Sequence, residues 1–89
     1  MLQKDVRIVN KLGLHARAAA KFVTLASQFA ADVQVARGTQ EVNGKSIMGI
    51  MMLAASQGTV ITLTTDGPDE AEAMAKLEQL VNNRFDEPE

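Results

Sequence analysis

The chain contains no cysteine, tryptophan or tyrosine, and only one histidine among its 89 residues. Without cysteine there are no disulfides and no thiol chemistry, which fits a reducing cytosol. One histidine and no carboxylates at ligand spacing leave no metal site to expect, and no cofactor is expected. The aromatics are Phe22, Phe29 and Phe85 alone, so a platform for stacking nucleic-acid bases is missing. Charge argues the same way: nine basic and eleven acidic residues give −2, whereas a nucleic-acid binder is usually basic. No apolar run approaches the roughly 20 residues of a membrane span. The opening MLQKDVRIVN carries Lys4, Asp5 and Arg7, unlike a signal peptide. The expectation is a soluble, cytoplasmic protein that binds neither nucleic acid nor membrane. A chain this short builds one modest core, so one domain over 1–89 is expected, working by presenting a surface.

What is present alternates between two periods. In LQKDVRIVN, Leu2, Lys4, Val6 and Ile8 share a face, as in a strand with one wet side. KLGLH follows as a loop. From Ala16 the spacing becomes helical: Ala19, Phe22, Val23, Ala26 and Ala30 recur on one stripe, with Lys21 and Gln28 outward, and the helix is predicted to end near Phe29 or Ala30. ADVQVARG and QEVN read as a hairpin across RGTQ. Asn43-Gly44 punctuates, and Ser46 suits the N-cap of a short helix from Ile47 to about Leu53. TVITLTTD is a β-branched strand with Ile61 and Leu63 inward. Gly67-Pro68 opens a last helix, and Asp69, Glu70 and Glu72 suit the positive end of its dipole. Its inner stripe is predicted as Ala73, Leu77, Leu80, Val81 and Arg84, with FDEPE a frayed acidic tail. The order β-α-β-β-α-β-α implies a two-layer α+β sandwich: a four-stranded antiparallel sheet covered on one face by three helices.

The stretch KLGLHARAAAKF, Lys11 to Phe22, places His15 where a loop becomes a helix. The first amides of a helix have no partner inside it, and the dipole adds partial positive charge, so such a terminus attracts anions. Arg17 adds a forked, permanently charged donor suited to phosphate oxygens. Gly13 permits a tight turn and is expected to leave room for a bulky visitor. A neutral imidazole set there is a nucleophile beside an anion site. A lone histidine near a helix start is, however, usually a cap or a surface residue, and one glycine and one arginine scarcely change that.

The whole string does. Gly13-Leu14-His15-Ala16-Arg17-Ala18-Ala19 resembles the active-site signature of the HPr family, the histidine phosphocarriers of bacterial phosphotransferase systems. NGKSIMGIMMLAASQG, at the family's separation, resembles the region around its regulatory serine. The resemblance runs along nearly the full chain. Ala18 departs from it, standing where most members have proline, but alanine suits a helix interior at least as well. The resemblance implies an HPr-like open-faced sandwich and a phosphoryl group carried on Nδ1 of His15. Arg17 and the amides of Ala16 and Arg17 would stabilise that group. Enzyme I, charged from phosphoenolpyruvate, would be the donor and an enzyme IIA protein the acceptor. The chain would be a stoichiometric carrier rather than a turnover enzyme, acting as a monomer and without metal.

SIMGIMMLAA has almost no polar face. Ile50 and Leu53 are assigned to the core, and Ile47, Met48 and Met51 to an exposed patch. Methionines also fill loose cores, but flexible ones suit a surface shared by several partners. With Ala20, this patch is the expected partner-binding surface. Ser46 has reason enough as a cap; the family resemblance adds phosphorylation by an HPr kinase/phosphorylase. Lys11, Lys21 and Lys45 are read as solvated.

A rival reading is a ferredoxin-like small-molecule or protein-binding domain in which His15 is incidental. Within the family, NNRFDEPE and NKLGLHAR look similar to the nitrogen-related branch, NPr, and KSIMG to the serine-regulated sugar branch, leaving both roles open.

Overall fold

The computed structural model describes residues 1–89. Four strands form one antiparallel sheet: β1 (Leu2–Arg7), β2 (Asp32–Arg37), β3 (Gln40–Asn43) and β4 (Val60–Asp66), in the order β1-β4-β2-β3. Helices α1 (Ala16–Ala26), α2 (Ile47–Met52) and α3 (Glu70–Asn82) complete the α+β, two-layer open-faced sandwich. The strands alternate as read. Val6, Val33, Val35, Ile61 and Leu63 turn inward onto Ala19, Phe22, Ala26, Leu77 and Val81 of the helices. On the other face, cross-strand polar groups satisfy one another: Thr62 Oγ1 donates to Asp5 Oδ1 at 2.7 Å, and Gln3 Nε2 donates to Thr64 Oγ1 at 3.2 Å. No helix is long and apolar enough to cross a membrane.

The departures from the sequence reading lie at element ends. Helix α1 stops at Ala26, not near Ala30. The chain tightens through Gln28 N–H to Leu25 O and Phe29 N–H to Ala26 O, and Ala30 is left exposed. The Asp69 carboxylate then accepts the amides of Ala30 and Ala31 at 2.9 and 2.8 Å, drawing the chain out into β2. Asp69 precedes α3 but makes no side-chain cap there, so it joins two segments rather than merely biasing a helix start. Neither Lys21 nor Lys45 is simply solvated: their ammonium groups donate to Phe85 O and Phe29 O at 2.9 and 2.8 Å.

The largest correction concerns the C-terminal stretch. FDEPE is not frayed. Arg84–Asp86 form one helical turn whose residues all have positive φ (58°, 54° and 63°). Residues other than glycine resist that region by roughly 1–2 kcal/mol each. The turn is held because it drives Phe85 to full burial, and an aromatic ring is among the largest apolar burials available. Arg84, read as part of the inner stripe, is exposed, and Met74 takes an inner position instead.

Two backbone amides on Asp69, first among them that of Ala30, hold its carboxyl below its ordinary value of 3.8 against the opposing effect of burial. A depressed folded-state value contributes stability above the unfolded value, lost as pH falls through the folded one. Asp69→Asn is therefore expected to melt at a lower temperature than wild type at pH 7. The gap should close as pH drops below about 4, as read by thermal melts across pH 2–7.

Candidate functional site

The segment Asn10–His15 is shaped by its backbone. Gly13 has φ +66°, and a Cβ built there would lie 2.4 Å from Ala55 O. Leu14 N–H donates to that same oxygen at 2.9 Å. The space beside Gly13 thus belongs to the loop after α2, not to a visitor. Glycine is required twice over, by conformation and by contact. Leu14 is buried, and His15 follows as the N-cap of α1 with extended backbone and no side-chain cap bond. Its carbonyl accepts from Ala19 N–H at 2.8 Å, the first bond of the helix. Ala18 is fully buried within an unbroken first turn, so the missing proline costs the helix nothing visible.

The imidazole side chain keeps 28 % of its surface exposed, enough for another macromolecule to reach it. It opens on a cleft of about 610 Å³ with Lys11, Arg17, Glu87 and Glu89 around it. Arg17 projects from the first turn and is exposed. The amides of Ala16 and Arg17 have no carbonyl within the helix to meet. His15, Ala16 and Arg17, the candidate site residues, thus stand as neighbours at one helix start.

The sequence reading missed Glu87 and Asn10. Glu87 Oε2 pairs with His15 Nε2, and its Oε1 accepts from Asn10 Nδ2 at 2.9 Å. Asn10 is fully buried, and its Nδ2 also donates to Gly13 O at 2.8 Å. Burial alone would raise the Glu87 carboxyl. The hydrogen bonds from Asn10 and His15, with the nearby Arg17 guanidinium, outweigh it and hold the group below its ordinary value. The only sequence sign of this contact was Phe85, a large apolar residue in an otherwise acidic tail.

The second region is also as read in outline. Ser46 caps α2, its Oγ accepting from Gly49 N–H at 3.1 Å. Ile50 and Leu53 are buried, while Ile47, Met48 and Met51 are exposed, joined by Met52, which the sequence reading left unassigned. Ala20 on α1 is half-buried. Arg37 Nη1 donates to Leu53 O at 2.8 Å, fastening the end of α2 to the hairpin. No group of three or more His, Cys, Asp or Glu side chains could hold a metal ion.

The family described as "PTS HPr component phosphorylation site" matches residues 2–83. The phosphocarrier protein HPr of Neisseria meningitidis is 60 % identical over all 89 residues, covering the whole of both chains. The HPr of Cupriavidus necator is 57 % identical over the same span. Among solved structures, HPr-C-His from Thermoanaerobacter tengcongensis superposes with a TM-score of 0.96 at 46 % identity, again over both entire chains. The chain belongs to the HPr family, the phosphocarriers of the bacterial phosphotransferase system. These matches do not favour the rival ferredoxin-like reading.

Proposed function

We propose that His15 is the phosphoryl-carrying residue. In this reading Nδ1 accepts the group from phosphorylated enzyme I, itself charged from phosphoenolpyruvate, and passes it to an enzyme IIA protein. The observation that carries the reading is the placement of a part-exposed imidazole at an 11-residue helix start beside Arg17. Unpaired amides, the dipole and a guanidinium favour an anion there. With Nε2 engaged by Glu87, Nδ1 is the ring nitrogen left for attack. Transfer then needs only an in-line approach of two proteins, positioned and electrostatically steadied. The chain serves as a stoichiometric carrier in the cytoplasm, acting as a monomer in sugar uptake, nitrogen-related regulation or both. Incubation with phosphoenolpyruvate and enzyme I should give an acid-labile, base-stable phosphate on wild type and none on His15→Ala. A labelled His15→Ala, or an unlabelled wild type, would defeat the reading.

Docking is assigned to Ala20, Ile47, Met48 and Met51. Met48 is 74 % exposed on a short helix with no charged residue, and adaptable side chains suit two different partners. Met48→Asp is expected to weaken binding to enzyme I by roughly tenfold, measured by calorimetry, with an unchanged thermal melt. A variant that unfolds instead would show Met48 to be structural.

Ser46 is assigned a regulatory role as the target of an HPr kinase/phosphorylase. Its side chain faces the start of α2, where added phosphate meets backbone donors and places negative charge beside the docking patch. A cognate kinase should modify wild type but not Ser46→Ala; that variant should also lose about 1 kcal/mol of stability with its cap. Modification of both proteins would discard the assignment.

A further inference from the structure

Three of the five methionines stand on one short helix. Met48, Met51 and Met52 are spaced three and four residues apart, so they share the outer face of α2, while Ile50 is buried in the core. They are 74, 44 and 64 % exposed. With Ile47 they make four of the eight large apolar side chains that the fold leaves exposed, so the thioethers form a patch rather than a scatter. The other two methionines differ. Met74 is 6 % exposed on the inner side of α3, and Met1 is exposed at the chain start, its amino group paired with Asp66 and Glu70. Cysteine, tryptophan and tyrosine are absent. Thioether sulfur is therefore what a mild two-electron oxidant such as hydrogen peroxide finds to react with.

We propose that Met48, Met51 and Met52 form an oxidation-sensitive modification site, at which hydrogen peroxide converts the thioethers to sulfoxides and so turns off partner docking while the fold persists. The proposal rests on the docking role assigned to this face above and adds how that role is regulated. A sulfoxide keeps the length of the side chain but replaces an apolar sulfur by a polar S=O acceptor. In the free protein that oxygen faces water and folding loses little. Under a partner it is cut off from water, which is costly unless a donor meets it. The groups that anchor α2 are separate from the oxidisable face. Ile50 and Leu53 hold the helix to the core without sulfur. Arg37 and Gln40 donate to the backbone oxygens of Leu53 and Met52 at its end.

Each step balances. A sulfur lone pair attacks one peroxide oxygen, an S–O bond forms, the O–O bond breaks, and the second oxygen leaves with both hydrogens as water. Sulfur gives up two electrons and the peroxide takes them. The return step needs a thiol reductant, supplied by an enzyme of the methionine sulfoxide reductase class, because this chain holds no thiol of its own. Two thiols become one disulfide, the sulfoxide oxygen leaves as water, and the thioether is restored. A carrier silenced this way resumes without being made anew.

The full chain is treated with hydrogen peroxide, quenched with catalase and mapped by peptide mass spectrometry. Sulfoxides are expected at Met48, Met51, Met52 and Met1 before Met74. Affinity for enzyme I, by calorimetry, should fall by about tenfold or more, with an unchanged thermal melt, and should recover after treatment with a methionine sulfoxide reductase. That recovery reads the switch in wild type without any variant. A triple variant, Met48→Leu with Met51→Leu and Met52→Leu, keeps the apolar volume and should bind equally before and after peroxide, although its Met1 is still oxidised. Oxidised wild type that binds as well as untreated protein overturns the proposal. So does a triple variant that loses affinity on oxidation, or a wild type whose melt collapses. A Met48→Asp variant that binds enzyme I normally defeats the docking surface itself, and the switch with it. A weakened Met48→Asp beside an unaffected oxidised wild type overturns the switch alone.

Discussion

The seam between two backbone segments governs the rest of the site. Gly13 lies so close to Ala55 that no side chain could be placed between them, and Leu14 bonds to the same carbonyl. That contact ties the lead-in of α1 to the loop that leaves α2. It sets where the first turn of α1 begins, and so where His15, Arg17 and the unpaired amides stand. It also keeps the methionine-bearing helix next to α1. A shift of the seam would move the His15 ring and the exposed patch together.

The sheet supplies the stiffness that such a seam needs. Helix α1 contributes Ala18, Ala19, Phe22 and Ala26 to the core, and its small residues let it lie close to the strands. A ring carried at the start of a helix so embedded cannot drift far. Preorganisation of this kind is what a transfer step requires, because the carrier must meet a reacting atom at a defined distance and angle.

Much of this was legible from residue spacing. The period-2 runs and the alanine-rich helix are strong local patterns, and local preference agrees with the final packing. Ser46, Ile50 and Leu53 were placed correctly because a cap and a helical stripe are both short-range features. What was illegible depended on contacts across long separations. The path from α1 into β2 is held by Asp69, about forty positions away. The tail reads as polar and dispensable until Phe85 finds the core, and its left-handed turn runs against the preferences of Arg84, Phe85 and Asp86 themselves. Glu87 could not be tied to His15 by any spacing rule, since 72 positions separate them.

The partial enclosure of the imidazole has a kinetic side. The tail closes the Nε2 edge of the ring and the helix start lies at its base, which narrows the approach left to it. Two visitors cannot occupy that approach at once. A relay built on it must release each companion before meeting the next, and long residence would throttle the flow. The throughput of such a shuttle is then bounded by how quickly its encounters dissolve rather than by how tightly they form.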